Sequence, residues 1–84
     1  VVQSRLNWAK FLSARGQFAK AYELLREADQ FARGQNLEIR RELIDVLRQQ
    51  GQFVLAQQLF SEAISIFGRQ PQLLVEGRRL GLDP

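Results

Sequence analysis

Residues 16–28 read GQFAKAYELLREA, and residues 51–63 read GQFVLAQQLFSEA. Two passages this alike, 35 residues apart, constrain the fold more than any other feature of the chain. At that spacing Leu12/Leu47, Gly16/Gly51, Gln17/Gln52, Phe18/Phe53, Ala21/Ala56, Leu24/Leu59, Glu27/Glu62 and Ala28/Ala63 are identical. Arg5/Arg40 and Gln35/Gln70 match outside the passage, and Trp8/Leu43, Phe11/Val46, Leu25/Phe60 and Phe31/Ile66 keep apolar character. A period of this size signals stacked repeats, each a single supersecondary unit.

The repeated residue types describe a helix, a turn and a second helix. Glycine adopts the left-handed conformation that ends helices, so Gly16 and Gly51 close a first helix and let the chain reverse. Phe18 and Phe53 follow and pack across the turn. Ala21 and Ala56 present almost no side chain, which lets two helix backbones approach closely. The predicted helices are 2–14, 18–32, 37–50, 53–67 and 72–80. In the first, Arg5, Trp8, Ala9 and Leu12 are spaced to face the next helix, with Phe11 beside them; in the third, Leu43, Ile44 and Leu47 point inward. Asn36 suits an N-cap, and Pro71 stops the fourth helix and starts the fifth. Leu73, Leu74, Gly77 and Leu80 give the fifth helix one packing face. Gly81 to Pro84 reads as an exit strand or a cut end.

This pattern resembles the tetratricopeptide repeat, about 34 residues long with a W-x2-L-G-x2-Y…A-x3-F…P signature. The second unit carries Ala56, Phe60 and Ala63 at the matching spacing, and the first carries Ala21, Leu25 and Ala28. The earlier half departs from the pattern. Arg5 and Arg40 stand where a large apolar residue is preferred, Ile44 stands in a small-residue slot, and Leu12 and Leu47 replace the aromatic. Trp8, Leu43 and Ala9 fit. The resemblance implies an all-α solenoid of helix-turn-helix repeats: repeat one over about 2–35, repeat two over about 37–70, and a C-terminal capping helix over about 71–80. One domain over 1–84 is expected. The chain starts at Val1 and contains no methionine, so a segment of a longer protein is expected.

The chain has no cysteine and no histidine, which removes disulfides, the usual zinc ligands, the usual general base and the thiol nucleophile. Ser4, Ser13, Ser61 and Ser65 have no candidate partner base, and no phosphate loop, dinucleotide fingerprint or calcium loop is present. No enzyme, cofactor or metal site is expected. No apolar run approaches the roughly 20 residues that span a bilayer, so membrane insertion is not expected, and cytoplasm and periplasm both remain open. Net charge is +3, with ten of the twelve basic residues arginine. Arg40-Arg41 and Arg78-Arg79 are the only basic pairs, so solvated helix faces are the simpler reading and nucleic acid is not the expected partner.

In tetratricopeptide arrays the first helix of each pair lines a concave groove that takes a peptide or helix of a partner protein. Carried over, the groove residues here are Asn7, Lys10, Arg41, Asp45 and Arg48. Glu42 and Asp45 interrupt the basic residues, which argues against a carboxylate clamp. The simpler alternative is that Asp45 pairs with Arg41 and Arg48 in solvent. Trp8 is read as a core or repeat-stacking residue. A repeat scaffold also serves assembly, here by self-association through the N-terminal helix, with Leu6 and Phe11 as contacts. The second repeat also resembles the 35-residue pentatricopeptide class, with Leu43-Ile44-Asp45, Gly51, Ala56, Leu59-Phe60 and Gly68-x-x-Pro71. That alternative implies single-stranded RNA binding with the base-reading slot near Asn7 and Glu42, where an acid is a poor fit.

Overall fold

The structure is a computed structural model that describes residues 2–82. It contains α1 (Val2–Ala14), α2 (Phe18–Ala32), α3 (Leu37–Gln49), α4 (Phe53–Phe67) and α5 (Pro71–Arg79), with no strand among the described residues. The all-α expectation is met, and helix boundaries agree with the sequence reading to within a residue. The first and third turns repeat each other closely. Gly16 and Gly51 both sit at φ 78°, and the next amide closes the helix behind them: Gln17 N to Leu12 O at 2.9 Å, and Gln52 N to Leu47 O at 2.8 Å. Asn36 caps α3 by accepting from Ile39 N at 3.1 Å. Pro71 occupies the first turn of α5, where its missing N–H is not needed.

Two apolar clusters share α3. Leu6, Ala9 and Leu12 of α1 meet Ala21, Leu25 and Ala28 of α2 and Ile39, Leu43 and Val46 of α3. On the other flank of α3, Ile44 and Leu47 meet Ala56 and Ala63 of α4 and Leu73 of α5. Leu25, Ile39, Ile44, Val46 and Leu73 are fully buried, each contributing about 1.5–3 kcal/mol of transfer free energy. Ala21, Ala28, Ala56 and Ala63 are all at 0% exposure, as close helix crossings require. Tyr22 and Leu59 touch both clusters and tie the two repeats together.

Several side chains lie elsewhere than the spacing suggests. Trp8 is 54% exposed and Phe11 48%, whereas Leu6 is buried. The inward stripe of α1 is Leu6–Ala9–Leu12, and Trp8 precedes Ala9 by one residue, or about 100° around the helix. Leu6 is therefore not available as a contact for a second molecule. Phe18 packs against the first cluster, but its counterpart Phe53 is 53% exposed, so the expected packing across the turn holds in one repeat only. Ala32 rather than Phe31 completes the α2 stripe. The expected exit strand does not form at Gly81 and Leu82: Leu82 N turns back to Gly77 O at 2.8 Å. Asp83 and Pro84 lie outside the described residues.

Candidate functional site

The five groove residues come from two helices that run side by side, and most of them join one ion-pair network. Lys10 of α1 reaches across to α3, with Nζ 3.0 Å from Glu38 Oε1. The same oxygen accepts from Arg41 Nη2 at 2.9 Å. Arg41 also donates to Glu42, and its Nη1 lies 3.6 Å from Glu76 Oε2 on α5. Arg79 of α5 continues the chain of charges, 3.3 Å from Glu76 Oε2 and 3.7 Å from Asp45 Oδ1. Asp45 in turn accepts from Arg48 Nη2 at 2.6 Å and from Gln49 Nε2 at 3.2 Å. Asn7 stands apart; its Oδ1 accepts from Gln3 one turn earlier at 3.0 Å.

Of the two partners expected for Asp45, Arg48 is bound and Arg41 is not; Arg79 stands in its place. Arg41 faces three other carboxylates, and one of them, Glu76, is only 1% exposed. Glu38 and Glu42 hold Arg41 within α3, and Glu76 of α5 adds a third acid on its other side. The pairing is also less solvated than the simple surface picture supposes, since the side chains of Arg41, Asp45 and Arg48 are 22%, 16% and 25% exposed. Glu38 and Glu76 are not singled out from sequence, and Glu42 and Arg79 are read there only as an interrupting acid and as half of a basic pair. Glu76 had a faint signal: at a spacing of 34, Ile39/Leu73, Glu42/Glu76 and Val46/Leu80 fall into register, but only one of these is an identity.

The network sets the protonation behaviour of its members. Hydrogen bonds from Arg41 and Lys10 hold Glu38 below the usual carboxylate value. Burial pushes Glu76 above it, helped by the negative charge of Asp45 and opposed by Arg79 and Arg41. Burial works against the charge on Arg41, but its bond to Glu38 and the charges of Glu42, Glu38 and Glu76 prevail and raise its pKa. Glu76 Oε1 and Arg48 Nε are buried and have no hydrogen-bond partner among the described residues. Of the two positions named for base reading in the RNA alternative, Glu42 is 8% exposed and held by Arg41, while Asn7 is exposed. Among the described residues no helix is long and apolar enough to cross a membrane.

Helix pairs of this kind, repeating at 35 residues and sharing a middle helix between two cores, are the substance of the resemblance, and the family comparison agrees. A model of the tetratricopeptide repeat matches residues 12–74. The chain belongs to the tetratricopeptide repeat family. No curated protein and no solved structure matches it. Tetratricopeptide repeats are generally protein–protein interaction modules and typically non-catalytic scaffolds. The match spans all four interhelical turns, all of α2, α3 and α4, and the first turn of α5. Glu38, Arg41, Asp45 and Arg48 of the network lie within the matched residues, and Lys10 on α1 precedes them.

Proposed function

We propose that this chain is a non-catalytic interaction module that binds a peptide or helix of a partner protein along the polar side of α1 and α3, through Asn7, Lys10, Arg41, Asp45 and Arg48. Its repeats run over about 2–35 and 37–70, and α5 serves as the capping helix. One observation carries the reading: the Lys10–Glu38–Arg41 bridge joins the first helices of successive repeats into one polar surface outside both apolar clusters. Charge on that surface is balanced. Lys10, Arg41, Arg48 and Arg79 face Glu38, Glu42, Asp45 and Glu76. A free carboxylate would have to displace an acid already in place. The stripe thus suits a partner segment carrying both charges and backbone carbonyls, which exchange with existing pairs at little net change.

The test places a photo-crosslinking residue at Asn7 or Lys10, both exposed, and at Gln58 on the outer face of α4 as the comparison. Protein adducts from positions 7 and 10, absent from 58, are expected. Adducts confined to position 58 would move the binding surface to the second helices.

A further inference from the structure

The 35-residue correspondence makes a second, independent use of the fold. In repeat two, Ile39, Leu43 and Val46 are the α3 residues packed into the first cluster against the alanine and leucine stripe of α2. Their counterparts in repeat one are Ser4, Trp8 and Phe11, and all three are exposed. The correspondence extends to the ion pairs. Arg40 bonds Glu62 of its own repeat at 3.2 Å and Asp29 of the preceding α2 at 3.0 Å. Arg5 keeps the first of these, Glu27 at 3.4 Å. Among the described residues nothing stands for Arg5 where Asp29 stands for Arg40; its guanidinium lies over the Phe31 ring at 4.8 Å instead. Trp8 and Phe11 stack on each other, ring centres 5.3 Å apart, with Arg15 over Phe11.

We propose that this outer face of α1, made by Arg5, Trp8, Phe11 and Arg15, is a docking surface for an amphipathic helix of the α2 kind, with an alanine-leucine stripe and an acidic residue placed to meet Arg5. The α2–α3 interface shows the docking geometry, because α3 receives such a helix through the same positions. Charge selects the occupant. Residues 1–22 contain four basic side chains and no acidic one. A second copy pairing α1 against α1 through this face would bring Arg5 and Arg15 of both molecules together with no acid on either helix. An acidic helix meets that field favourably and is steered to it. This face is separate from the polar stripe, so either proposal can fail alone.

Trp8 is the single tryptophan and reports on the face directly. The test is a chain in which residues 1–35 are repeated once ahead of Val1, with the added tryptophan replaced by phenylalanine. The added α2 then precedes α1 at the native 35-residue period, and tethering supplies a high effective concentration. Trp8 emission should shift to the blue, and its acrylamide quenching should fall severalfold, since Leu43 at the matching position is 3% exposed against 54% for Trp8. Asp29→Lys in the added copy alone should reverse most of that protection. Trp8 remaining as quenchable as in the 84-residue chain would overturn the proposal, as would full protection that survives Asp29→Lys. So would sedimentation of the 84-residue chain as a dimer with Trp8 already protected. Saturable, salt-sensitive quenching of Trp8 by single-stranded polyuridine would assign the face to nucleic acid and overturn it as well.

Discussion

Gly77 lies in the middle of α5, where helix propensity and packing pull in opposite directions. Propensity alone favours Gly77→Ala by about 1 kcal/mol. The structure opposes it, because a methyl group on Gly77 would lie 2.7 Å from Phe60 Cζ and 3.0 Å from Cε1. Both are closer than carbon atoms pack, and Phe60 is itself held against the second cluster. Forcing an extra methyl into such a contact costs about 1–3 kcal/mol. Taking the two together, Gly77→Ala should be neutral to destabilising by about 2 kcal/mol. The decisive measurement is a double-mutant cycle by urea denaturation. Phe60→Leu removes the ring atoms that meet the new methyl, so in that background Gly77→Ala should stabilise by about 1 kcal/mol. A gain of the same size with Phe60 intact would refute the close approach of α5 to α4.

Arg41→Ala should destabilise the chain because it leaves Glu42 and the fully buried Glu76 short of a cation. Since Arg79 still serves Glu76, the loss should fall at or below the lower end of the roughly 3–5 kcal/mol typical of a broken buried pair, measured by chemical denaturation. An unchanged midpoint would show that Arg41 is a solvated side chain. Glu76→Gln reads the pH dependence. The folded pKa of Glu76 is raised, so its contribution to stability is fully present below the usual carboxylate value and is lost as pH rises through the folded value. The variant keeps the shape without the buried charge, so its stability relative to the parent should increase from low to neutral pH. Glu38 behaves oppositely, its contribution being lost as pH falls through its lowered value, but it is common to both chains and cancels. A difference that shrinks as pH rises would refute the assignment.

The elements that were legible in the sequence are those fixed by local chemistry. Gly16 and Gly51 mark turns because the backbone there needs positive φ, Asn36 marks a start because its side chain reaches the Ile39 amide, and Pro71 marks a boundary because it lacks an N–H. Leu43, Ile44 and Leu47 were legible because the apolar residues of α3 fall at helical spacing among charged ones. α1 was misread because Leu6, Trp8, Ala9, Phe11 and Leu12 cover roughly 220° of the helix at 100° per residue. Spacing alone cannot say which part of so wide an arc turns inward; the position of α2 decides it. Glu76 carries only a faint signal for a related reason. A carboxylate between Val75 and Gly77 looks like a surface residue until α5 docks on α3, and that docking is a tertiary event.

The width of the α1 arc nevertheless has a physical reading once repeat two is set beside it. α3 is apolar on two flanks because it serves two cores: Leu43 and Val46 face α2, while Ile44 and Leu47 face α4. α1 repeats both flanks, with Ala9 and Leu12 facing its own α2 and Trp8 and Phe11 facing outward. A helix that only closed an array would need the inner flank alone and would gain solubility from a polar outer one. α5, read as the cap, has that character, with Gln72, Arg78 and Arg79 exposed. α1 has the character of an interior helix. Trp8 and Phe11 are each about half in water, which forgoes half of the roughly 1.5–3 kcal/mol of full burial, and Arg15 shields only part of the Phe11 ring. The two ends of the stack are therefore chemically unequal, and the surface most in need of a partner is the one that carries positive charge.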